Sequence, residues 1–423
     1  MLPKRHSKQA YLTRYIDYEL DELIEDLSGI AIDGPKGVGK TATASLRSDV
    51  VLTLDDVAVR QVVEADAKRQ LTAKSVVCVD EWQNYPPVWD MVRRLIDDKV
   101  ATTFLLTGSA SPVVGTTTHS GAGRIISLRM RPLSLAERAG TQPTVFIRDL
   151  FEREADIAGN SDFSLSDYAA AICSTGLPGI YDLSLRARRA AIAGYVTRII
   201  DRDVPEQGGS VRRPDTLRSW LAAYAAASST TTTYTKILDA ATPADTDKIS
   251  KKTSDKYRDL LTKIWVLDSV PAWSPQAPSL ARLNLSPKHQ LFDPGIAANL
   301  LGITDRTLVS AVKGTGEIFG QLFESLATLC VRTAGQAAEA RTFHLRTKAG
   351  EHEVDLILER YDGAVLACEV KLSPTVDDKD VAHLHWLGEQ IGDRLVDKIV
   401  LTTGSTAYRR ADGVAVVPLA LLG

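Results

Sequence analysis

The sequence has few cysteines, and they form no metal-binding or disulfide pattern. Among 423 residues there are four, Cys78, Cys173, Cys330 and Cys368, widely separated and mostly flanked by apolar residues. Isolated cysteines of this kind are typical of reduced, buried thiols. His383 and His385 lie close together in the sequence, but an i, i+2 spacing puts them on different faces of a helix. We therefore expect no zinc site.

Long apolar runs and an excess of one charge are also lacking. No run is long enough to span a bilayer, and the basic start is not followed by the apolar core of a signal peptide. With 50 basic and 53 acidic side chains the net charge is −3, so any DNA contact must depend on local basic patches. We expect a cytoplasmic protein without a membrane partner. Its length predicts two or three domains.

A phosphate-binding loop is present near the amino terminus. Residues 34–41 match G-x-x-x-x-G-K-[ST], between an apolar run at 29–32 and a helix-compatible stretch at 42–46. The nucleotide-binding residues are predicted to be Gly34, Pro35, Lys36, Gly37, Val38, Gly39, Lys40 and Thr41. The glycines allow backbone N–H groups to converge on phosphates. Lys40 would contact the β- and γ-phosphates of ATP, and Thr41 would bind Mg²⁺.

A second segment adds the acids that ATP hydrolysis requires. Residues 75–81, S-V-V-C-V-D-E, form an apolar strand pattern that ends in Asp80 and Glu81, about 40 residues after Lys40. Asp80 would hold the metal, and Glu81 would polarise the attacking water. A kinase of small molecules would not need Glu81. The pair therefore favours a hydrolytic ATPase.

Two weaker signals follow. The run 103–107 leads into T-G-S, where Thr107 or Ser109 would sense the γ-phosphate. Arg124 would act as an arginine finger, either in its own chain or from a neighbouring subunit of a homo-oligomer; the alternative is a solvated arginine on a loop. Strand-like runs alternate with helical segments at 57–71 and 87–98, which predicts an α/β fold with a parallel sheet and ligands at its carboxyl edge.

The middle of the chain contains a candidate helix-turn-helix. Its helices would span 234–241 and 253–263, followed by a short strand at 265–270. Basic residues cluster around the second helix: Lys251, Lys252, Lys256 and Arg258. This arrangement suits contact with a DNA backbone. The alternative is a solvated basic face on a packing helix.

The carboxy-terminal part places ionisable residues in two strand-like runs. In E-V-D-L-I-L and L-A-C-E-V-K-L, Asp355 precedes Glu369 by 14 residues, a spacing suited to a hairpin. Asp355 and Glu369 would bind Mg²⁺, and Lys371 would activate a water. The alternative is a cross-strand ion pair contributing about 0.2–1 kcal/mol. Glu324 projects away from the apolar stripe of its helix, so periodicity favours an exposed side chain.

Taken together, these motifs resemble AAA-type ATPases with a carboxy-terminal DUF4143 region. The motifs that carry the resemblance are G-P-K-G-V-G-K-T, V-D-E-W-Q, L-L-T-G-S, G-R-I-I-S-L-R-M-R-P-L-S-L-A-E, T-G-L-P-G-I-Y, S-P-K-H-Q-L-F-D-P-G-I-A and F-E-S-L, with E-V-D-L-I-L and E-V-K. The chain departs from the family pattern at Lys36, where arginine is usual, and at Trp82, where an aliphatic residue is usual. Neither change removes a catalytic group.

The resemblance implies three domains. These are a P-loop ATPase domain (1–140), a helical and winged-helix domain (141–290) and an α/β domain similar to PD-(D/E)XK nucleases (291–423). It also implies that Glu324, Asp355, Glu369 and Lys371 converge, with the three acids as metal ligands.

Three functional hypotheses remain open. The chain is an ATP-hydrolysing machine that engages DNA, or a nucleotide-gated switch or scaffold whose terminal domain binds without cutting, or a metal-dependent nuclease in which ATP only regulates.

Overall fold

The computed structural model of the protein describes residues 11–109, 121–138, 140–208, 213–242, 249–274, 286–310, 314–348 and 350–423. These residues form an α/β region, a helical middle region and a second sheet region, in that order along the chain. Within them no helix is both long and apolar enough to cross a membrane.

The amino-terminal region is a parallel sheet covered by helices. Its elements are α1 (Tyr15–Leu23), β1 (Gly29–Asp33), α2 (Lys40–Ser45), β2 (Val50–Thr53), α3 (Val57–Ala65), α4 (Ala67–Leu71), β3 (Val76–Asp80), α5 (Pro87–Asp97), β4 (Thr103–Gly108) and β5 (Ile126–Arg129). The strand order is β2-β3-β4-β1-β5, with every pair parallel. Near-continuous apolar runs form these strands because both faces of the sheet are covered. The predicted α/β fold is confirmed.

One predicted helical segment is divided. Residues 57–71 form α3 and α4 because Asp66 leaves the helical conformation and accepts a hydrogen bond from the Arg69 N–H. A side chain that caps a new helix in this way ends the preceding one.

The middle region is helical. It contains α6 (Ile147–Phe151), α7 (Leu165–Cys173), α8 (Leu185–Arg198), a π-helical segment (Ile199–Asp203), α9 (Val204–Glu206), α10 (Pro214–Ala226), α11 (Tyr234–Ala240), α12 (Lys251–Lys263), α13 (Pro294–Leu300) and α14 (Asp305–Leu308). The two helices predicted at 234–241 and 253–263 are confirmed as α11 and α12. Thr233 and Ser250 cap them at their amino ends.

The strand predicted at 265–270 forms only isolated bridges. Leu267 pairs with Leu291 and Val270 pairs with Lys288, both antiparallel. We call residues 265–270 and 288–291 the middle hairpin.

The carboxy-terminal region begins with the long helix α15 (Thr315–Ala337) and continues with a mixed sheet. The remaining elements are β6 (Ala340–Arg346), β7 (Glu353–Arg360), β8 (Val365–Val370), α16 (Asp378–Ile391), β9 (Leu395–Thr402), β10 (Tyr408–Arg409) and β11 (Ala415–Pro418). The strand order is β10-β11-β9-β8-β7-β6. β7 and β8 pair antiparallel, as the predicted hairpin required.

A single cluster of buried apolar side chains extends through the three regions. It includes Ile32 from β1, Trp220 from α10 and Phe323 from α15. Burial of apolar surface is the main stabilising contribution to folding. The cluster therefore fixes the three regions against one another and brings residues far apart in the sequence to shared sites.

Candidate functional site

The phosphate-binding loop connects β1 to α2 and needs glycine for two reasons. Gly37 and Gly39 have φ values of 79° and 106°, in the left-handed region that other residues rarely adopt. At Gly34 a Cβ atom would lie 2.3 Å from the carbonyl oxygen of Met130. The loop conformation and its packing against the segment after β5 thus both depend on the motif.

Lys40 is buried inside this loop, and among the described residues it has no carboxylate as a hydrogen-bond partner. Its side chain donates to the carbonyl oxygens of Gly34 and Pro35, at 2.9 Å each. Burial lowers the pKa of Lys40 to about 8, although Glu81 opposes the shift. An ammonium group bonded only to neutral acceptors is available to an incoming anion.

Thr41 and Asp80 meet at the carboxyl edge of the sheet. The Thr41 hydroxyl donates to Asp80 Oδ1 at 2.8 Å, and the Thr107 hydroxyl donates to the same oxygen. Asp80 and Thr107 are directly opposite in the pairing of β3 with β4. The structure therefore brings together the hydroxyl and the carboxylate predicted to hold Mg²⁺. Oxygen donors of this kind suit that ion.

Glu81 lies immediately beyond the end of β3 in a left-handed conformation with a φ of 52°. Such a conformation is costly for glutamate and is found mostly at functional sites. The Gln83 amide donates to Glu81 Oε2, and the Ser109 hydroxyl is 3.5 Å from the same oxygen. Ser109 and Thr107 thus contact the two acids at the end of β3.

A cavity of about 590 Å³ opens beside these acids. Lys36, Glu81 and Ser109 line one side, and residues of α8 and the π-helical segment line the other. Lys36 forms an ion pair with Asp203 at 2.6 Å, and the Tyr195 hydroxyl donates to the Lys36 carbonyl oxygen. The middle region therefore contacts the phosphate-binding loop at Lys36, through Asp203 and Tyr195.

Arg124 does not reach the phosphate-binding loop of its own chain. Its carbonyl oxygen lies beside Gly29, at the start of β1, and its guanidinium forms an ion pair with Asp97 at 2.8 Å. This is the amino edge of the sheet, opposite the loop at the end of β1. The hypothesis of an arginine finger within one chain is therefore wrong, because a parallel sheet places strand starts and strand ends at opposite edges.

Arg129 is the cation that the structure places near the loop instead. It ends β5, opposite Asp33 in the strand pairing. Its guanidinium stacks over the Trp265 ring at 3.9 Å, and the nearest carboxylate oxygen, on Asp268, is also 3.9 Å away. Within the described residues its three side-chain nitrogens have no hydrogen-bond partner. Burial lowers the pKa of Arg129 to about 9, and its charge acts on Lys40.

The sequence analysis included Arg129 only as part of a motif that carries the family resemblance. The sequence did contain a signal for a cation at a strand end, because R-M-R, residues 129–131, directly follows the strand-like residues 125–128. Without the fold, nothing showed that this strand would lie next to β1.

The four ionisable residues of the carboxy-terminal region do converge. The Val370 N–H donates to Asp355 Oδ2 at 3.0 Å, and Lys371 forms an ion pair with Glu369 Oε2 at 3.1 Å. Glu324 reaches this group from α15, and a fifth residue, Lys288 of the middle hairpin, lies between Glu324 and Asp355. We call these five residues the carboxylate cluster.

The expectation of an exposed Glu324 is wrong. Its side chain is only 17% exposed because the second face of α15 is also covered. Ser229 donates to the Gln321 carbonyl oxygen, and Gln290 lies 3.5 Å from the Thr328 hydroxyl. Helical periodicity identified one apolar stripe and missed a polar face that packs against the middle region.

Charge in the carboxylate cluster is balanced internally. Burial alone would lower the pKa of Lys288, but Glu324, Asp355 and Glu353 raise it, so the ammonium stays charged. Burial opposes ionisation of Asp355, yet Lys288 and Lys371 hold its pKa below the ordinary value. Burial, reinforced by Asp355, raises the pKa of Glu369 well above its usual range.

The basic residues predicted around the second helix differ in whether their side chains already contact other residues. Lys251, Lys252 and Lys256 are exposed on α12. Arg258 stacks over the Tyr234 ring at 4.8 Å and forms an ion pair with Asp255 at 3.3 Å. Three lysines are therefore free of such partners among the described contacts.

Comparison with protein families supports the resemblance drawn from the motifs. The AAA domain family matches residues 28–139, a domain of unknown function (DUF4143) matches residues 319–422, and another (DUF8612) matches residues 165–307. No curated protein matches the chain. The first match covers the phosphate-binding loop with Asp80 and Glu81, and the second covers most of the carboxylate cluster. Residues 28–139 thus match an AAA domain and residues 319–422 match DUF4143, as the motifs predicted.

Proposed function

We propose that this protein binds ATP with Mg²⁺ and hydrolyses it. The observation that carries the proposal is the convergence of Lys40, the Thr41–Asp80 pair and Glu81 at one edge of a parallel sheet. Open α/β sheets bind ligands at this edge, and the AAA match covers the same residues.

Each residue has a distinct role in the proposed reaction. Lys40 would exchange its bonds to loop carbonyls for bonds to phosphate oxygens, which carry full negative charge. Thr41 and Asp80 would hold Mg²⁺, which neutralises phosphate charge when bound. Glu81, positioned by Gln83, would accept a proton from the attacking water.

Glu81→Gln separates binding from turnover. The amide keeps the size of the side chain but cannot accept the proton, so ATP binding should stay within about twofold while phosphate release falls about 100-fold or more. Glu64→Gln is the matched control, since Glu64 is exposed on α3. Phosphate release and calorimetric ATP binding should be measured on both variants. Equal turnover by Glu81→Gln and the wild type would remove Glu81 from the mechanism.

DNA contact through α12 is a second proposed activity. Its support is the exposure of Lys251, Lys252 and Lys256 on one helix. Their replacement by alanine should reduce the slope of log affinity for duplex DNA against log salt by about 2 to 3, because each lost phosphate contact contributes nearly one.

A matched triple variant tests whether the effect is local. Lys68, Arg69 and Lys379 are exposed elsewhere, and their replacement removes the same charge. Fluorescence anisotropy over a range of salt concentrations measures both variants. If the two triple variants behave alike, α12 is not the contact surface.

A further inference from the structure

The carboxylate cluster already contains a cation, and that cation is the Lys288 ammonium. Lys288 Nζ lies 2.8 Å from Glu324 Oε1, 3.1 Å from Asp355 Oδ1 and 3.6 Å from Glu353 Oε1. Its side chain is 1% exposed. Two of these acids are residues that the resemblance to nucleases assigned to a metal.

We propose that Lys288 replaces the divalent cation of this site, so that the DUF4143 domain binds no Mg²⁺ there and does not cut phosphodiester bonds. The cluster instead fastens the middle hairpin to the carboxy-terminal sheet. The inference concerns a site separate from the ATP site and does not depend on ATP hydrolysis.

Four of the six carboxylate oxygens of Glu324, Asp355 and Glu369 accept a hydrogen bond. Asp355 Oδ1 accepts from Lys288, and Asp355 Oδ2 accepts from the Val370 N–H. Glu369 Oε2 accepts from Lys371. Magnesium requires about six oxygen ligands at about 2.0–2.1 Å, and among the described residues no group of three acidic, histidine or cysteine side chains is arranged to hold a metal ion.

Glu324 Oε2 and Glu369 Oε1 accept no hydrogen bond from the described residues. Glu369 Oε1 is buried without a donor among the described residues. Two carboxylate oxygens supply only part of the about six oxygen ligands that magnesium needs.

Lys288 is held in place through its backbone as well as its side chain. Its N–H donates to the Val270 carbonyl oxygen and its own carbonyl oxygen accepts from the Val270 N–H, both at 2.9 Å. The neighbouring His289 N–H donates to Thr230. The ammonium is therefore a fixed part of the structure, and its removal would leave buried carboxylates without a counter-charge.

Manganese binding without nucleotide tests the proposal on the full-length protein. All proteins carry Asp80→Asn, which removes the metal ligand at the ATP site. We expect electron paramagnetic resonance to detect no Mn²⁺ bound to the cluster. Adding Glu369→Gln should leave the amount of bound Mn²⁺ unchanged. A Mn²⁺ site that Glu369→Gln abolishes would overturn the proposal.

Two substitutions of Lys288 provide the complementary result. Lys288→Ala removes the charge and opens space, so Mn²⁺ affinity should rise about tenfold or more. Lys288→Met removes the charge but fills the space, and should gain no site. Thermal melts establish that each variant is folded. A folded Lys288→Ala that gains no site, or wild-type protein that nicks supercoiled DNA in a manner dependent on Lys371, would contradict the proposal.

Discussion

Two desolvated cations lie in or beside the phosphate-binding loop, and among the described residues neither has a carboxylate as a hydrogen-bond partner. Lys40 donates to two loop carbonyls, and Arg129 lies 3.9 Å from Asp268. Positive charge that is buried and incompletely paired is costly. An ATP polyphosphate chain would offset that cost, which explains why both residues are held at this edge of the sheet.

The pKa of Lys40 makes ATP affinity depend on pH. Lys40 has a pKa of about 8 without ligand, and bound phosphates would raise it, so binding is accompanied by proton uptake above pH 8. Affinity should be full at pH 7 and fall about tenfold by pH 9, since each pKa unit corresponds to about 1.4 kcal/mol.

Calorimetry at both pH values, in buffers of different ionisation enthalpy, measures the affinity and the proton uptake. Lys40→Arg serves as the control, because arginine keeps its charge at both values. A pH-independent affinity of the wild-type protein would show that Lys40 is not the group that meets the phosphates.

Arg129 should distinguish ATP from ADP. If its guanidinium meets the γ-phosphate, Arg129→Gln lowers ATP affinity about 10- to 100-fold, the value of one or two charged hydrogen bonds, and leaves ADP affinity nearly unchanged. Arg94→Gln is the matched control, because Arg94 is exposed on α5. Equal losses for ATP and ADP would indicate that Arg129 only supports the fold.

At the scale of elements, the sequence correctly predicted those strands and helices that local residue patterns determine. β1, β3 and β4 are apolar runs long enough to be recognised, and α11 and α12 have capping residues at their starts. The burial of Glu324 was not predictable in this way. It depends on the middle hairpin, whose strands are joined by only two bridges and whose Lys288 follows no periodic pattern.

The middle hairpin forms a buried ion pair through Lys288 on one strand. Its other strand, residues 265–270, forms a second one through Asp268. Asp268 accepts from Arg131 at 3.0 Å and lies 3.3 Å from Arg332 of α15. Burial opposes its ionisation, but the arginines hold the pKa of Asp268 far below its usual range. Removing this acid would leave three buried arginines without a counter-charge.

Asp268→Asn should therefore destabilise the protein by about 3–5 kcal/mol, the cost of breaking a buried ion pair. Urea denaturation measures the change, and Asp239→Asn, at an exposed site on α11, is the matched control. If the two variants have the same midpoint, Asp268 does not hold the regions together.

At the scale of the whole molecule, the middle hairpin joins the two outer regions. Asp268 contacts Arg131 of the AAA domain, and Lys288 contacts Glu324 and Asp355 of the DUF4143 domain. The family resemblance predicted the AAA and DUF4143 matches but gave no account of these contacts. They depend on the packing of three regions around one apolar core, which no motif records.

The arrangement favours a protein whose AAA domain carries out the nucleotide chemistry and whose DUF4143 domain does not cut phosphodiester bonds. The proposed ATP hydrolysis begins with nucleotide binding at the loop that contains Lys40.

Calorimetric titration of wild-type protein and Lys40→Ala with Mg-ATP tests nucleotide binding at this loop most directly. The wild-type protein should bind one ATP per chain, and the substitution should weaken binding about 10- to 100-fold, because charged hydrogen bonds to phosphate are lost. No binding to the wild-type protein, or equal binding to both proteins, would contradict the account.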